Sequence, residues 1–233
     1  MASSDDLPTT NSRSRWALRL LLVLLGIGLW YKTQDLISAR QLVGSQIVDI
    51  PLEWTAPANA YFHQHPVAAD ALLIVSSLII DVLGVFLLGA SIFGPSLRPF
   101  LGLLILFSLR QLCQAFCALP APPDMIWHQP YLPPQLGGFA FPSLLVTYPV
   151  ANDFFFSGHT ALATYGALEL ARLGRRWIPL AGTIVFFEIA TVLVLRAHWT
   201  MDVFAAVTAA ICAACFANWL APHVDRRLGI TTP

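Results

Sequence analysis

The amino-acid sequence predicts an all-α integral membrane protein, built as a six-transmembrane-helix bundle with both termini in the cytosol. Hydrophobic residues occupy 57% of the 233 positions and charged residues only 11%, and the mean hydropathy is +0.67. A soluble domain carries charge at about a quarter of its positions. Several apolar runs also have the ~20 residues that a helix needs to cross a bilayer. Arginines stand at alternate ends of these runs, and this alternation predicts the orientation.

Residues 1–15 are polar and are expected to form a disordered cytosolic N-terminus. No small-residue cleavage site follows the first apolar run, 16–31, so we expect a retained transmembrane helix rather than a signal peptide. Residues 32–70 have a mixed composition and are expected to form a long loop. Trp54, Tyr61 and Phe62 in this loop are typical of a membrane interface.

Five further apolar runs cover about 71–93, 99–119, 158–173, 177–197 and 199–221. The predicted membrane domain therefore covers 16–221, and residues 222–233 are expected to form a cytosolic tail. The run 158–173 is short for a bilayer. The connection 120–156 is dense in proline, glycine and aromatic residues and contains no lysine or arginine.

Basic residues predict which side each loop faces. Nine arginines fall at one set of alternate span ends: Arg13, Arg15, Arg19, Arg98, Arg172, Arg175, Arg176, Arg226 and Arg227. The other side has only Lys32, Arg40 and Arg196. By the positive-inside rule both termini face the cytosol, and the opposite loops face the periplasm or lumen.

Two motifs fall on that opposite side, and the first is Asp153-Phe-Phe-Phe-Ser157-Gly158-His159-Thr160. Ser157 is a good N-cap for the apolar helix that follows, and Gly158 leaves the backbone N–H groups accessible. A helix start of this kind favours an anion such as phosphate. His159 then supplies a titratable group beside that anion site.

The second motif is Arg196-Ala-His198-Trp-Thr-Met-Asp202. His198 and Asp202 are four residues apart, so on a helix the carboxylate lies beside the imidazole and orients it. Two histidines, one of them backed by an acid, with a nearby arginine indicate phosphoryl transfer. A zinc site formed by His159, His198 and Asp202 is the alternative, but its spacing matches no recognised ligand pattern. We therefore expect no metal and no other cofactor.

Arg110 lies within the third span, about 14 Å below the Leu119-Pro120 end at helical rise. An intramembrane arginine indicates a functional site by default. Two interpretations stay open for it: phosphate binding, or structural pairing with the intramembrane acids Asp81 or Glu188.

The motifs together resemble the sphingomyelin synthase family, within the wider group of type 2 phosphatidic acid phosphatases. The resemblance runs from Arg110 to about residue 210 and implies His159, His198 and Asp202 as the catalytic set. Three features depart from the family pattern. Ala151-Asn152 replaces Cys-Gly, Trp199 replaces a tyrosine, and no cytosolic interaction domain precedes the first helix. The arginine two residues before His198, Arg196, is a feature in which the sequence is more similar to plant phosphatidylcholine:diacylglycerol cholinephosphotransferases and protozoan sphingolipid synthases.

The resemblance implies a membrane lipid head-group phosphotransferase, with a phospholipid donor and a lipid acceptor. His198 would attack phosphorus and form a phosphohistidine, and His159 would act as acid and then as base. Arg110, Arg196 and the backbone at Ser157 and Gly158 would bind the phosphoryl oxygens. A lipid phosphatase that uses water is the first alternative. Val192 stands where such phosphatases have an arginine, which favours transfer.

A non-catalytic lipid-binding or transport protein is the second alternative. The zero net charge offers no electrostatic basis for nucleic-acid binding. Aromatic residues of the connection 120–156, with Asp124 or Asp153 as a counter-charge, indicate a choline-type head group. Simple anchoring of these aromatic residues at the interface is the competing interpretation.

Overall fold

The computed structural model describes residues 12–38, 47, 49–148 and 154–230. Within these residues the chain is helical and contains no named strand, which confirms the predicted all-α class. The helices are α1 Ser12–Ser38, α2 Ile50–Glu53, α3 Ala56–Gln64, α4 Pro66–Phe93, α5 Arg98–Phe116, α6 Gly158–Ala171, α7 Ile178–Val194 and α8 Thr200–Arg227. Short 3-10 turns cover Pro134–Leu136 and Arg175–Trp177.

Five helices in the described part of the chain are long and apolar enough to cross a membrane. They are α1, α4, α5, α7 with its preceding turn, and α8. The predicted span 158–173 forms only the 14-residue α6, which is about 21 Å long and shorter than the ~30 Å hydrocarbon core. The all-helical membrane fold stands, and a sixth complete crossing stays a prediction.

Helix α6 is the centre of the bundle, although it is the shortest of the predicted spans. Eleven of its fourteen residues are buried, which is typical of a helix that other helices enclose. An ideal Cβ on Gly102 of α5 would lie 1.9 Å from the hydroxyl of Tyr165 in α6. Glycine at 102 therefore allows these two helices to approach closely, and the Tyr165 hydroxyl donates to the backbone carbonyl of Arg98 at 3.2 Å.

The arginine-rich helix ends lie together at one end of the bundle. Arg19 donates to the carbonyl of Gly94 at 2.8 Å, and Arg98 pairs with Glu169 at 2.6 Å. Asp225 of α8 accepts from Ser96 at 2.6 Å and so joins the same end. The structure therefore brings together the arginine-bearing helix ends that the sequence predicts to lie on one side. The membrane side that this end faces stays a prediction.

The expected loop at 32–70 is largely helical, so that prediction is wrong. Helix α1 continues to Ser38, and α2 and α3 occupy most of 50–64. Three prolines of this range, Pro51, Pro57 and Pro66, lie in the first turns of helices. Proline is tolerated there because the first N–H groups of a helix have no intrahelical acceptor. Asp49 caps α2 by accepting from the Leu52 N–H at 3.1 Å.

Helices α1 and α8 extend past the residues predicted to bound the membrane domain, and the division into cytosolic and membrane parts stays a prediction. Helix α1 begins at Ser12, and α8 continues through Pro222 to Arg227, where a cytosolic tail was expected. Residues 1–11 and 231–233 lie outside the described residues.

The connection after α5 enters the helix bundle and runs alongside α4. We name residues 120–148 the re-entrant segment, because it follows α4 from His128 beside Asp70 (2.7 Å) to Leu145 over Gly84. Fourteen residues of α4 separate these two points, which is about 21 Å. Buried backbone N–H groups need acceptors at this depth. The carboxylate of Asp81 accepts from the N–H groups of Leu144 (3.0 Å) and Leu145 (2.9 Å).

Candidate active site

The start of α6 is joined to the start of α8. Ser157 is fully buried, and its hydroxyl accepts from the Thr160 N–H at 3.3 Å, so it caps α6 as the sequence indicates. Its own N–H donates to the backbone carbonyl of Asp202 at 3.3 Å. The two sequence motifs, forty residues apart, therefore meet through their backbones.

Arg110 brings a positive charge to the same place. Its side chain is 6% exposed, and its Nε donates to the carbonyl of Phe156 at 2.9 Å. The guanidinium lies against Gly158, with Nε 3.4 Å from the position of an ideal Cβ. The structure thus places a cation in front of the α6 N-terminus, where both the N–H groups and the helix dipole favour an anion.

The acids considered as partners of Arg110 have other contacts. Asp81 holds the re-entrant segment, and Glu188 accepts from the Ser76 hydroxyl at 2.7 Å. Helix α5 ends at Phe116, so Arg110 lies about 9 Å below its end, less than the 14 Å expected from the sequence. Neither acid is therefore the partner of Arg110, and phosphate binding by Arg110 stays a prediction.

The ring of His198 is oriented by a carbonyl and lies beside a carboxylate. Its Nδ1 lies 2.9 Å from the carbonyl oxygen of Phe154 and 3.6 Å from Oδ2 of Asp202. A carbonyl oxygen can only accept, so Nδ1 carries the proton and, in the neutral ring, Nε2 keeps the lone pair. Asp202 lies beside the imidazole as the spacing predicts, but Phe154 makes the closer contact.

Asp202 is fully buried and has a second task. Its Oδ2 accepts from the N–H of Trp199 at 3.0 Å, which caps the first turn of α8. Its Oδ1 has no hydrogen-bond partner among the described residues. Asp202 thus holds a buried carboxylate 3.6 Å from the imidazole of His198 while it caps α8.

His159 lies in the first turn of α6 and is 8% exposed. Its ring contacts the ring of Trp127 edge-on, with 5.1 Å between centroids, and Trp127 in turn contacts Tyr148 at 5.0 Å. The buried hydroxyl of Tyr148 bonds the hydroxyl of Ser77 in α4. The re-entrant segment thereby forms one wall around His159.

A single cavity of about 500 Å³ connects these groups. We name it the chamber. Its polar end is lined by Arg110, Gly158, His159 and His198. The rest is lined by faces of α1, α4 and α5, together with Trp127, Leu145 and Val146 of the re-entrant segment. The arrangement combines His198, whose Nδ1 carries the proton, with His159, the guanidinium of Arg110 and the N–H groups at the start of α6. All of these lie at one end of an apolar cavity.

Arg196 does not line the chamber, which differs from the expectation that it binds phosphate. Its φ is +51°, a left-handed conformation that is unusual for a residue with a side chain. Its guanidinium pairs with Asp124 at 3.3 Å and with Glu53 at 3.5 Å. Arg196 thus stabilises the tight turn between α7 and α8. Asp153, the expected head-group residue, lies outside the described residues.

Helices α2 and α3 hold the turn that carries His198, and the sequence analysis missed this role. Asp49 Oδ2 accepts from the Thr200 N–H at 2.6 Å, at the start of α8. The Asn59 side chain donates to the carbonyls of Val194 (2.9 Å) and Asp124 (3.3 Å). The signal available in the sequence was Asp49 before Pro51, which is typical of a helix start rather than a loop.

Among the described residues, no group of three or more histidine, cysteine, aspartate or glutamate side chains is arranged to hold a metal ion.

The fold and the site together define a polytopic membrane protein, with two histidines and an arginine at the polar end of a chamber of about 500 Å³. The family model described as AtPDCT1/2 matches residues 48–219, and the chain therefore belongs to the phosphatidylcholine:diacylglycerol cholinephosphotransferase family. This finding supports that family rather than the sphingomyelin synthases specifically. The match includes all the site residues and leaves α1 outside. Comparison with curated proteins and with solved structures gives no match.

Proposed function

We propose that the protein transfers a phosphocholine-type head group between lipids through a phosphohistidine intermediate. Membership of the family supports a lipid head-group phosphotransferase. The observation that carries the mechanism is the position of His198, whose Nδ1 is committed to Phe154 while the ring lines the chamber. Its Nε2 is therefore the nitrogen available for attack on phosphorus.

In the first half-reaction, the phospholipid phosphate lies between the Arg110 guanidinium and the N-terminus of α6. The Nε2 lone pair of His198 forms a bond to phosphorus, and the bond from phosphorus to the glycerol oxygen breaks. His159 gives a proton to that oxygen, and diacylglycerol leaves as the alcohol. The ring of His198 becomes cationic, and Asp202 stabilises this charge across 3.6 Å.

In the second half-reaction, the hydroxyl of an acceptor lipid gives its proton to His159 and attacks phosphorus. The bond from phosphorus to Nε2 breaks, and His198 returns to the neutral ring. Arg110 compensates charge on the phosphoryl oxygens in both steps. With diacylglycerol as acceptor the reaction exchanges the head group between two glycerolipids, and with ceramide it forms a sphingolipid.

Trp127 supports the choline-type head group. Aromatic residues of the re-entrant segment were proposed to bind the head group. Among them, in the part of the chain that the structure describes, Trp127 alone both lines the chamber and contacts His159. An aromatic face in contact with a quaternary ammonium contributes about 0.5–2 kcal/mol. The arginine distribution supports an active site on the extracytosolic face, with both termini in the cytosol.

The decisive experiment uses purified protein in nanodiscs with phosphatidylcholine labelled in its head group. Deuterated diacylglycerol, ceramide or no acceptor is added, and the products are resolved by mass. We expect label on the deuterated glycerolipid. Free phosphocholine without acceptor dependence would instead indicate hydrolysis, and no product would indicate a lipid-binding protein.

The matched variants are His198→Ala and His223→Ala. His198→Ala should abolish transfer and any acid-labile phosphoryl-enzyme. His223 is an exposed histidine near the C-terminal end of α8, so its replacement should leave transfer at the wild-type rate. Equal activity in the two variants would exclude His198 as the nucleophile.

A further inference from the structure

The chamber has a polar end and a closed apolar end. Near Arg110 its wall contains the side chains of Gln34 and Gln111, whose amides meet at 3.4 Å between Nε2 of Gln111 and Oε1 of Gln34. Ser108 lies within the first turn below Arg110, and beyond it the α5 residues that line the chamber are all apolar: Phe107, Leu104, Leu103 and Phe100. A wall that is polar beside the phosphate site and apolar below it matches a glycerolipid, with its esters above and its acyl chains beneath.

Phe100 closes the far end of the chamber. Its ring packs on Gly26 of α1, where an ideal Cβ would lie 2.8 Å from the Phe100 Cζ. Behind Phe100 a cluster of buried apolar residues fills the interior: Val23, Leu97, Leu101, Ala217, Ala221 and Ile230. The chamber therefore ends at a packed floor rather than opening into the opposite leaflet.

The depth of the chamber fits one acyl chain. Ten residues of α5 separate Arg110 from Phe100, which is about 15 Å at helical rise. This is half of the ~30 Å hydrocarbon core, and so the thickness that the chains of one leaflet fill. A lipid whose phosphate lies at Arg110 uses part of this depth for its glycerol and ester groups, so an acyl chain of ordinary length reaches the ring of Phe100.

We infer that the chamber holds one acyl chain of the reacting glycerolipid inside the protein, and that Phe100 and Gly26 set the chain length it accepts. The inference rests on the proposed function for the reaction, but it concerns binding and is testable without turnover. Donor phospholipid and acceptor diacylglycerol share this acyl chemistry. The Gly26 side of the floor lies on α1, outside the residues that the family model matches.

Two substitutions should shift the preferred chain length in opposite directions. Phe100→Ala removes the floor and should favour longer chains. Gly26→Ala places a methyl group where the Phe100 ring now lies, so the ring moves into the chamber and shorter chains are favoured. One methylene in a hydrophobic pocket changes selectivity by about 10-fold or more. We therefore expect at least a tenfold change, of opposite sign, in the ratio of long-chain to short-chain products.

The control is Phe116→Ala, the same substitution on the same helix. Phe116 is 85% exposed and does not line the chamber, so the product ratio should stay at the wild-type value. The measurement is a competition among diacylglycerols of graded chain length, with products resolved by mass. Equal product ratios in Phe100→Ala, Gly26→Ala and Phe116→Ala would overturn the inference.

A second measurement separates this inference from the proposed reaction. The inactive His198→Ala protein is incubated with phosphatidylcholine that carries a diazirine at the terminal carbon of one acyl chain. After irradiation, adducts are mapped by peptide sequencing. We expect them at the floor, on Phe100 and Gly26, and on Leu88 of α4, which also lines the chamber. Adducts confined to outward-facing residues such as Phe116 would refute an internal chain even if transfer activity is present.

Discussion

Replacing Asp202 by asparagine tests how this carboxylate acts. The tautomer of His198 is held by the Phe154 carbonyl at 2.9 Å, so the substitution leaves that hydrogen bond in place. The asparagine amide oxygen still accepts from the Trp199 N–H, which preserves the cap of α8. The change therefore removes one negative charge 3.6 Å from Nδ1 and little else.

The expected loss follows from that distance. Two unit charges 3.6 Å apart interact by about 4–5 kcal/mol at an effective dielectric constant of 20. The positive charge on His198 exists only once the bond to phosphorus forms, so the interaction lowers the barrier rather than strengthening substrate binding. We expect kcat to fall about 10³-fold, with little change in KM.

The assay compares Asp202→Asn and Asp202→Ala in nanodiscs, by steady-state transfer and by thermal unfolding. The alanine variant should also lose about 1 kcal/mol of stability, because it lacks the helix cap. If Asp202→Asn keeps kcat within tenfold of the wild type, the carboxylate is a cap and not an electrostatic partner of His198.

Three further predictions concern the surroundings of the site. Arg110→Lys keeps the charge but loses the guanidinium fork and the bond to Phe156, so we expect kcat/KM to fall about 100-fold; an unchanged value would remove Arg110 from phosphate binding. Asn59→Ala removes the side-chain donor to the Val194 carbonyl, whereas the Asp124 carbonyl keeps its contact with His63 Nε2 at 3.1 Å. We expect about 1–3 kcal/mol lower stability and a lower kcat, with the KM for the phospholipid retained. A fall in stability alone would confine Asn59 to a structural role. Cysteines placed at Arg175 and Gly137 should react with impermeant label from opposite sides of the membrane, and labelling of both from one side would refute the topology.

Helix α2, helix α3 and the re-entrant segment show why local patterns misplaced part of the chain. The prolines at 51 and 57 indicate a loop when each is considered alone, because proline breaks a helix interior. In the structure they lie in the first turns of short helices. These helices are stabilised by contact with the turn before His198, which is distant in sequence. Similarly, the backbone of residues 143–145 enters the bundle because the carboxylate of Asp81, on α4, accepts from its N–H groups.

The sequence by itself determined the membrane class, most of the long helices, the cap at Ser157 and the approach of Asp202 to His198. These features depend on local composition or on short spacings along the chain, which do not require knowledge of how the helices pack. Only the tertiary structure decided which arginine lies at the chamber. Arg196 is two residues from His198, but its left-handed backbone and its pairing with Glu53 and Asp124 direct it away. Arg110 is nearly fifty residues before His159, and the packing of α5 against α6 brings its guanidinium to Gly158.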